Sequence, residues 1–167
     1  MKPSLTDTLC TQCGLCCDGS LFADVELAGA DEGAALEVLG LEIEDDDGGL
    51  LLQPCGALKG KRCSIYPHRP DCCRAFECRL LQEVRCGTVS VDQAKEKIAE
   101  TQRQIERVKA LIGQLGRVDE RLPVKERCAE ALELSAEGLM NPERRQKRNE
   151  LASAMGCVEE LIQKTFL

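Results

Sequence analysis

Apolar and small side chains recur through the second half of the chain at intervals that alternate three and four residues: Val91, Ala94, Ile98, Thr101, Ile105, Val108, Ile112 and Leu115. That period predicts one amphipathic helix with a narrow seam, the spacing of a coiled coil. Ser90 or Thr88 can cap its start and Gly116 can end it. A second helix is expected from Pro123, in its first turn, to about Gly138. Asn141-Pro142-Glu143 announces a third, a cap followed by proline at the first helical position. Its apolar face would comprise Leu151, Met155, Val158, Ile162 and Phe166. These helices read as a hairpin or three-helix packing unit; the lesser alternative is a seam that serves a homodimer or a protein partner through the C-terminal helices. Cys128 and Cys157, which have no cysteine neighbours, read as small buried hydrophobes.

Upstream, the pattern is shorter and more broken. Residues 30–41 have helix-forming composition. Residues 41–55 read as two short strands around an Asp-Gly turn, with Ile43 and the Leu50–Leu52 run facing inward. Two prolines in 67–73 forbid a continuous helix there, and 73–86 then reads as a helix starting after that loop. CGTVS, from Cys86, reads as a turn. The predicted fold is therefore α+β: a small loop-rich cysteine domain with a short β-hairpin over 1–88, followed by a helical C-terminal extension over 89–167.

Charge sharpens this division. Apolar residues make up 43% of the 167-residue chain, but the aromatics are only Phe22, Tyr66, Phe76 and Phe166. Aliphatic side chains must carry the burial, with help from a cross-link or a metal. The net charge is −7, yet residues 1–54 carry twelve Asp/Glu against Lys2 alone, whereas 55–86 carry seven Lys/Arg against three acids. An acidic chain almost without aromatic platforms argues against general nucleic-acid binding. The basic middle segment is also dense in cysteine, and cations lower thiol pKa, so its charges are expected to compensate a thiolate cluster. The start, MKPSLTDTLC, lacks the apolar core of an export signal, and no run of about 18 apolar residues suggests a membrane span. The expected location is cytoplasmic, where stable disulfides are rare. Twelve cysteines in such a setting point to metal ligation or redox chemistry rather than staples.

Ten of those twelve precede residue 87, four of them inside CTQCGLCC: Cys10, Cys13, Cys16 and Cys17. Cys-x2-Cys on a tight turn brings two thiolates to the separation a tetrahedral ion needs, and two such units here share Cys13. Gly14 lets the backbone turn between them. The first three cysteines also match the start of a bacterial ferredoxin run, but Cys17 follows immediately and no Cys-Pro appears. Adjacent side chains diverge from the backbone, so Cys16 and Cys17 do not readily serve one mononuclear ion together. Either one is a spectator or they reach different metals. Two zinc sites, a thiolate-bridged binuclear site and an iron–sulfur cluster with extra thiols all remain open.

CTQCGLCC, then PC at 54–55, CSIY at 63–66 and RPDCCRAF at 69–76 with Cys78 beyond, resembles the YkgJ-type CxxCxxCC cysteine-cluster family. The resemblance covers about residues 10–80. It implies a zinc- or iron-chelating domain whose eight cysteines fall on Cys10, Cys13, Cys16, Cys17, Cys55, Cys63, Cys73 and Cys78. Arg69, Pro70 and Arg74 match its R-P-x-x-C-R element, and Tyr66 matches the preceding tyrosine. Cys72 is an additional thiol that leaves the ligand at that step open between itself and Cys73. The implied cofactor is zinc (Zn2+) or iron, including a 4Fe-4S cluster, and flagellin lysine methylases share the cysteine pattern.

The expected function is metal binding through eight thiolates. An iron–sulfur-dependent modifying enzyme and a thiol redox or sensing protein are the alternatives. No glycine-rich cofactor loop or acid–base constellation supports an enzyme, and no βαβ pattern surrounds Cys10–Cys17 to suggest dithiol exchange. His68, the only histidine, reads as an exposed loop residue, and the acidic run Glu42–Asp47 as a solvated hairpin tip.

Overall fold

The computed structural model describes residues 4–44, 49–136 and 141–167. Its first half contains α1 (Leu5–Cys13), β1 (Asp24–Glu26), α2 (Ala30–Val38), β2 (Ile43–Glu44), β3 (Leu50–Leu52), β4 (Leu58–Lys59) and β5 (Arg62–Cys63). A 3-10 turn over Tyr66–His68 leads into α3 (Asp71–Ala75) and α4 (Arg79–Arg85). The remainder is α5 (Val91–Leu115), α6 (Val124–Leu134) and α7 (Pro142–Thr165). The mixed α+β class expected from the patterning is the class observed. No helix among the described residues is long and apolar enough to cross a membrane.

The three long helices form for the reasons their sequences give. Ser90 and Gln93 make a reciprocal capping box at the start of α5. Asn141 Oδ1 accepts from the amides of Glu143 and Arg144 at the start of α7, with Pro142 in the first turn. Seven of the eight predicted seam positions of α5, Thr101 included, are buried, and so is the whole predicted face of α7. The α5 seam packs on α7 and α6 within the chain. Pro123 stands one residue outside α6, as its N-cap. The expected end of that helix near Gly138 and the Asp-Gly turn at 47–48 lie outside the described residues.

Two apolar cores result. The larger joins Leu9 and Leu15 from the first cysteine segment and Leu80, Leu81 and Val84 from α4 to the buried faces of α5, α6 and α7. The smaller joins Leu36, Leu41, Leu51 and Ala57 around a three-stranded antiparallel sheet of order β1-β3-β2. Leu51 opposes both Val25 and Ile43 in that sheet. Full burial of one leucine contributes roughly 1.5–3 kcal/mol, so Leu15 and Leu80, each 1% exposed, anchor cysteine-bearing segments firmly to the helices.

Three expectations need correcting here. The Leu50–Leu52 run does not face inward as a whole, because alternation along β3 buries Leu51 and leaves Leu52 exposed. The helix expected over 73–86 is divided into α3 and α4, because Phe76 and Cys78 adopt extended backbone between them. Tertiary contacts hold that break open: Phe76 packs edge-on against Phe22 at 5.2 Å, and the Arg79 amide donates to the Phe166 carbonyl at 3.0 Å. Cys157 is exposed rather than buried, since the buried stripe of α7 passes through its neighbour Val158; Cys128 is buried as expected.

Candidate metal centre

Cys10 and Cys13 occupy the end of α1, a helix begun by a Ser4–Asp7 capping box, and not the tight turn expected of them. Three residues apart on a helix, they share a face. Gly14 ends α1 in the left-handed region (φ 71°), its amide bonded to the Cys10 carbonyl. A Cβ there would lie 3.3 Å from the Lys61 Cα, so the site requires glycine for its conformation and for the close approach of the β4–β5 turn. The amides of Cys17 and Asp18 both donate to the Gly14 carbonyl, which coils Cys16 and Cys17 back beside α1.

The second segment is tied to the first by backbone. The Cys55 amide donates to the Cys17 carbonyl at 2.8 Å, and the Leu58 amide to the Cys55 carbonyl at 2.9 Å. Cys63 opposes Leu58 across the β4–β5 hairpin. Cys55 and Cys63 thus stand on one small scaffold with Cys17 against it.

The third segment is stapled by its own arginines. Arg69 donates from Nε to the Tyr66 carbonyl and places its guanidinium 3.6 Å from the centre of the Tyr66 ring. Arg74 donates to the carbonyls of Arg69 and Pro67. These side chains fix the loop that delivers α3, which carries Cys72 and Cys73. Cys78 is the N-cap of α4.

Two further residues position the site and carry no signal in the local sequence. Gln102, on α5, donates to the Gln12 and Cys13 carbonyls and accepts from Lys61, satisfying acceptors that the end of α1 would otherwise leave open. The Glu32 carboxylate accepts the amides of Ala28 and Asp71, joining the start of α2 to the start of α3. Neither can be found by motif, because each acts across the fold.

Together these segments enclose a cavity of about 900 Å³, and all eight cysteines of the expected set line it, with Cys72 as a ninth. None of the chain's twelve cysteines is in a disulfide. His68 is exposed and outside the cavity lining, while Cys86 is exposed at the end of α4.

The electrostatics depart from expectation. Burial pushes the thiols of Cys13 and Cys17 up from 9.0 to about 12 and raises Cys10, Cys16, Cys55, Cys73 and Cys78 as well. Neighbouring thiols push most of them further in the same direction. Arg69 pulls Cys10 and Cys17 down, but desolvation outweighs it. The basic segment therefore does not hold free thiolates; a bound cation would have to displace the protons.

The model of the CxxCxxCC family, described as "Putative zinc- or iron-chelating domain", matches residues 9–104. The chain belongs to the CxxCxxCC family. The match reaches beyond the cysteine segments into α5 and takes in Gln102, the residue that holds the end of the CxxC helix. No curated protein and no solved structure matches the chain.

The donors suit what a CxxCxxCC domain chelates. They are all sulfur, the ligand class that selects zinc and iron–sulfur centres, and they arrive on backbone already fixed in place. Among the described residues, no three His, Cys, Asp or Glu side chains stand at metal-ligand spacing.

Proposed function

We propose that this chain holds zinc or iron, the iron as an iron–sulfur cluster, through Cys10, Cys13, Cys16, Cys17, Cys55, Cys63, Cys73 and Cys78. One observation carries the reading: four separate sequence elements deliver all eight cysteines to a single cavity. Half-burial of these cysteines supports it, because a shielded set of sulfurs favours a retained ion over an exchanging one. Burial also disfavours thiol exchange, since thiols raised above 9.0 are weakly ionised near neutrality and poor nucleophiles. The centre is a binding and structural element that joins the sheet to the helices, in a reducing, cytoplasmic setting.

Anaerobic purification followed by metal and acid-labile sulfide analysis tests the reading. Zinc without sulfide, or iron with sulfide, in stoichiometric amount supports it. A folded chain that retains neither metal after growth in zinc- and iron-replete medium rejects it.

A further inference from the structure

We propose that the eight cysteines form two four-thiolate metal centres, one from Cys10, Cys13, Cys16 and Cys78 and the other from Cys17, Cys55, Cys63 and Cys73. The division rests on the thiolate reading above and goes beyond it by assigning each ligand to a centre.

The two sets stand on different parts of the fold. Cys10, Cys13 and Cys78 pack against the large helical core, on α1 and at the N-cap of α4, two helices in mutual contact. Cys55 and Cys63 pack against the small sheet core. Cys17 belongs with them through the 2.8 Å bond between its carbonyl and the Cys55 amide. The hairpin also touches α1, so two centres built this way would share one cavity while resting on separate walls.

Spacing and count assign the remaining two. Cys16 closes a Cys-x2-Cys unit with Cys13, and Cys73, delivered on α3 to the same cavity, completes the second set of four. Adjacent residues send their side chains in divergent directions, so the Cys16–Cys17 peptide is where one sequence motif can feed two centres. This accounts for CC at the end of the motif, where a mononuclear site would have no use for the second cysteine.

Four soft donors per centre match the ligand count of a tetrahedral zinc ion or a cluster held by four cysteines. With a divalent ion, each centre forms as four S–H bonds break, four protons pass to solvent and four metal–sulfur bonds form. No electron is transferred.

Anaerobic titration of the reduced, metal-free full chain with Co2+ tests the division, read by thiolate-to-cobalt absorbance. Two equivalents should saturate the unmutated chain. Cys10→Ser and Cys55→Ser should each saturate at one equivalent, and the double variant should bind none. Saturation of the unmutated chain at one equivalent, or complete loss of binding in either single variant with its helical circular dichroism preserved, overturns the division and leaves the thiolate reading standing. Absence of cobalt binding to the unmutated chain overturns both. The stoichiometry of the unmutated chain decides the number of centres even where a variant fails to fold, and Cys13→Ser and Cys63→Ser provide a second pair for the ligand assignment.

Discussion

The amide of Cys55 donates to the carbonyl of Cys17 at 2.8 Å. That single backbone bond joins the last cysteine of the opening motif to the segment that follows the sheet. It makes the relative placement of these two candidate ligands a property of the chain rather than of flexible side chains.

Proton loss gives the site a defined pH dependence. Thiols such as Cys13 and Cys17, at 9.0 ordinarily and about 12 here, keep their protons to higher pH in the folded metal-free chain than in the unfolded one. The corresponding stability is fully present below about pH 9 and is lost as pH rises from there toward about 12. Thermal unfolding of the metal-free chain should therefore show a falling Tm over that window. The metal-loaded chain, whose thiols have already ionised, should lack this decline, and its apparent affinity should rise with pH through neutrality. A metal-free Tm that stays level or rises above about pH 9 would contradict this account of the buried thiols.

Gln102 tests whether the helical half supports the motif. Gln102→Ala removes two hydrogen bonds to the Gln12 and Cys13 carbonyls. At about 0.5–1.5 kcal/mol each, the loss should destabilise the fold by about 1–3 kcal/mol. Release of metal to a chelator should accelerate, while Gln104→Ala, two residues along α5 and bonded to Glu100, should leave it unchanged. Equal release rates in the two variants would remove the positioning role.

Gly14 is tested by a single methyl group. Gly14→Ala places a Cβ at φ 71° and 3.3 Å from the Lys61 Cα. The left-handed backbone alone costs about 1–2 kcal/mol, and relief of the contact should shift the β4–β5 turn away from α1. Chemical denaturation should show that loss, together with reduced metal retention. A variant as stable as the unmutated chain would show that the approach is looser than described.

Cys72 and Cys73 are adjacent on α3, and their surroundings separate them. Burial raises both thiols and they hydrogen-bond to each other; beyond that, Cys73 is raised by Cys17 and Cys55, whereas Cys72 is raised by Glu32, outside the cysteine set. Cys73→Ser should lower bound metal, and Cys72→Ser should leave metal content unchanged. Metal content measured by mass spectrometry checks both, and the reverse pattern would assign the ligand to Cys72.

What could be read from the chain itself was whatever is encoded locally. The α5 seam from Ala94 to Leu115, the Asn141–Pro142 start of α7 and the antiparallel β2–β3 pairing depend on period and caps within a few residues, and each is present. The eight candidate ligands were legible as a motif with spacing. The break between α3 and α4 was not, because it is held by Phe22 and Phe166 from distant segments. The thiol environment was misread for the same reason: a sequence displays the cations near the cysteines but not the burial that outweighs them. Gln102 and Glu32 resemble any other exposed polar residue until the fold places a carbonyl or an amide against them.

X-ray absorption at the metal edge of the anaerobically purified chain addresses the central claim most directly. All-sulfur first coordination of a stoichiometric zinc ion, or an iron–sulfur spectrum with sulfur ligands alone, is the predicted result. Stoichiometric metal bound through nitrogen or oxygen, with the eight cysteines still open to alkylation, would contradict it.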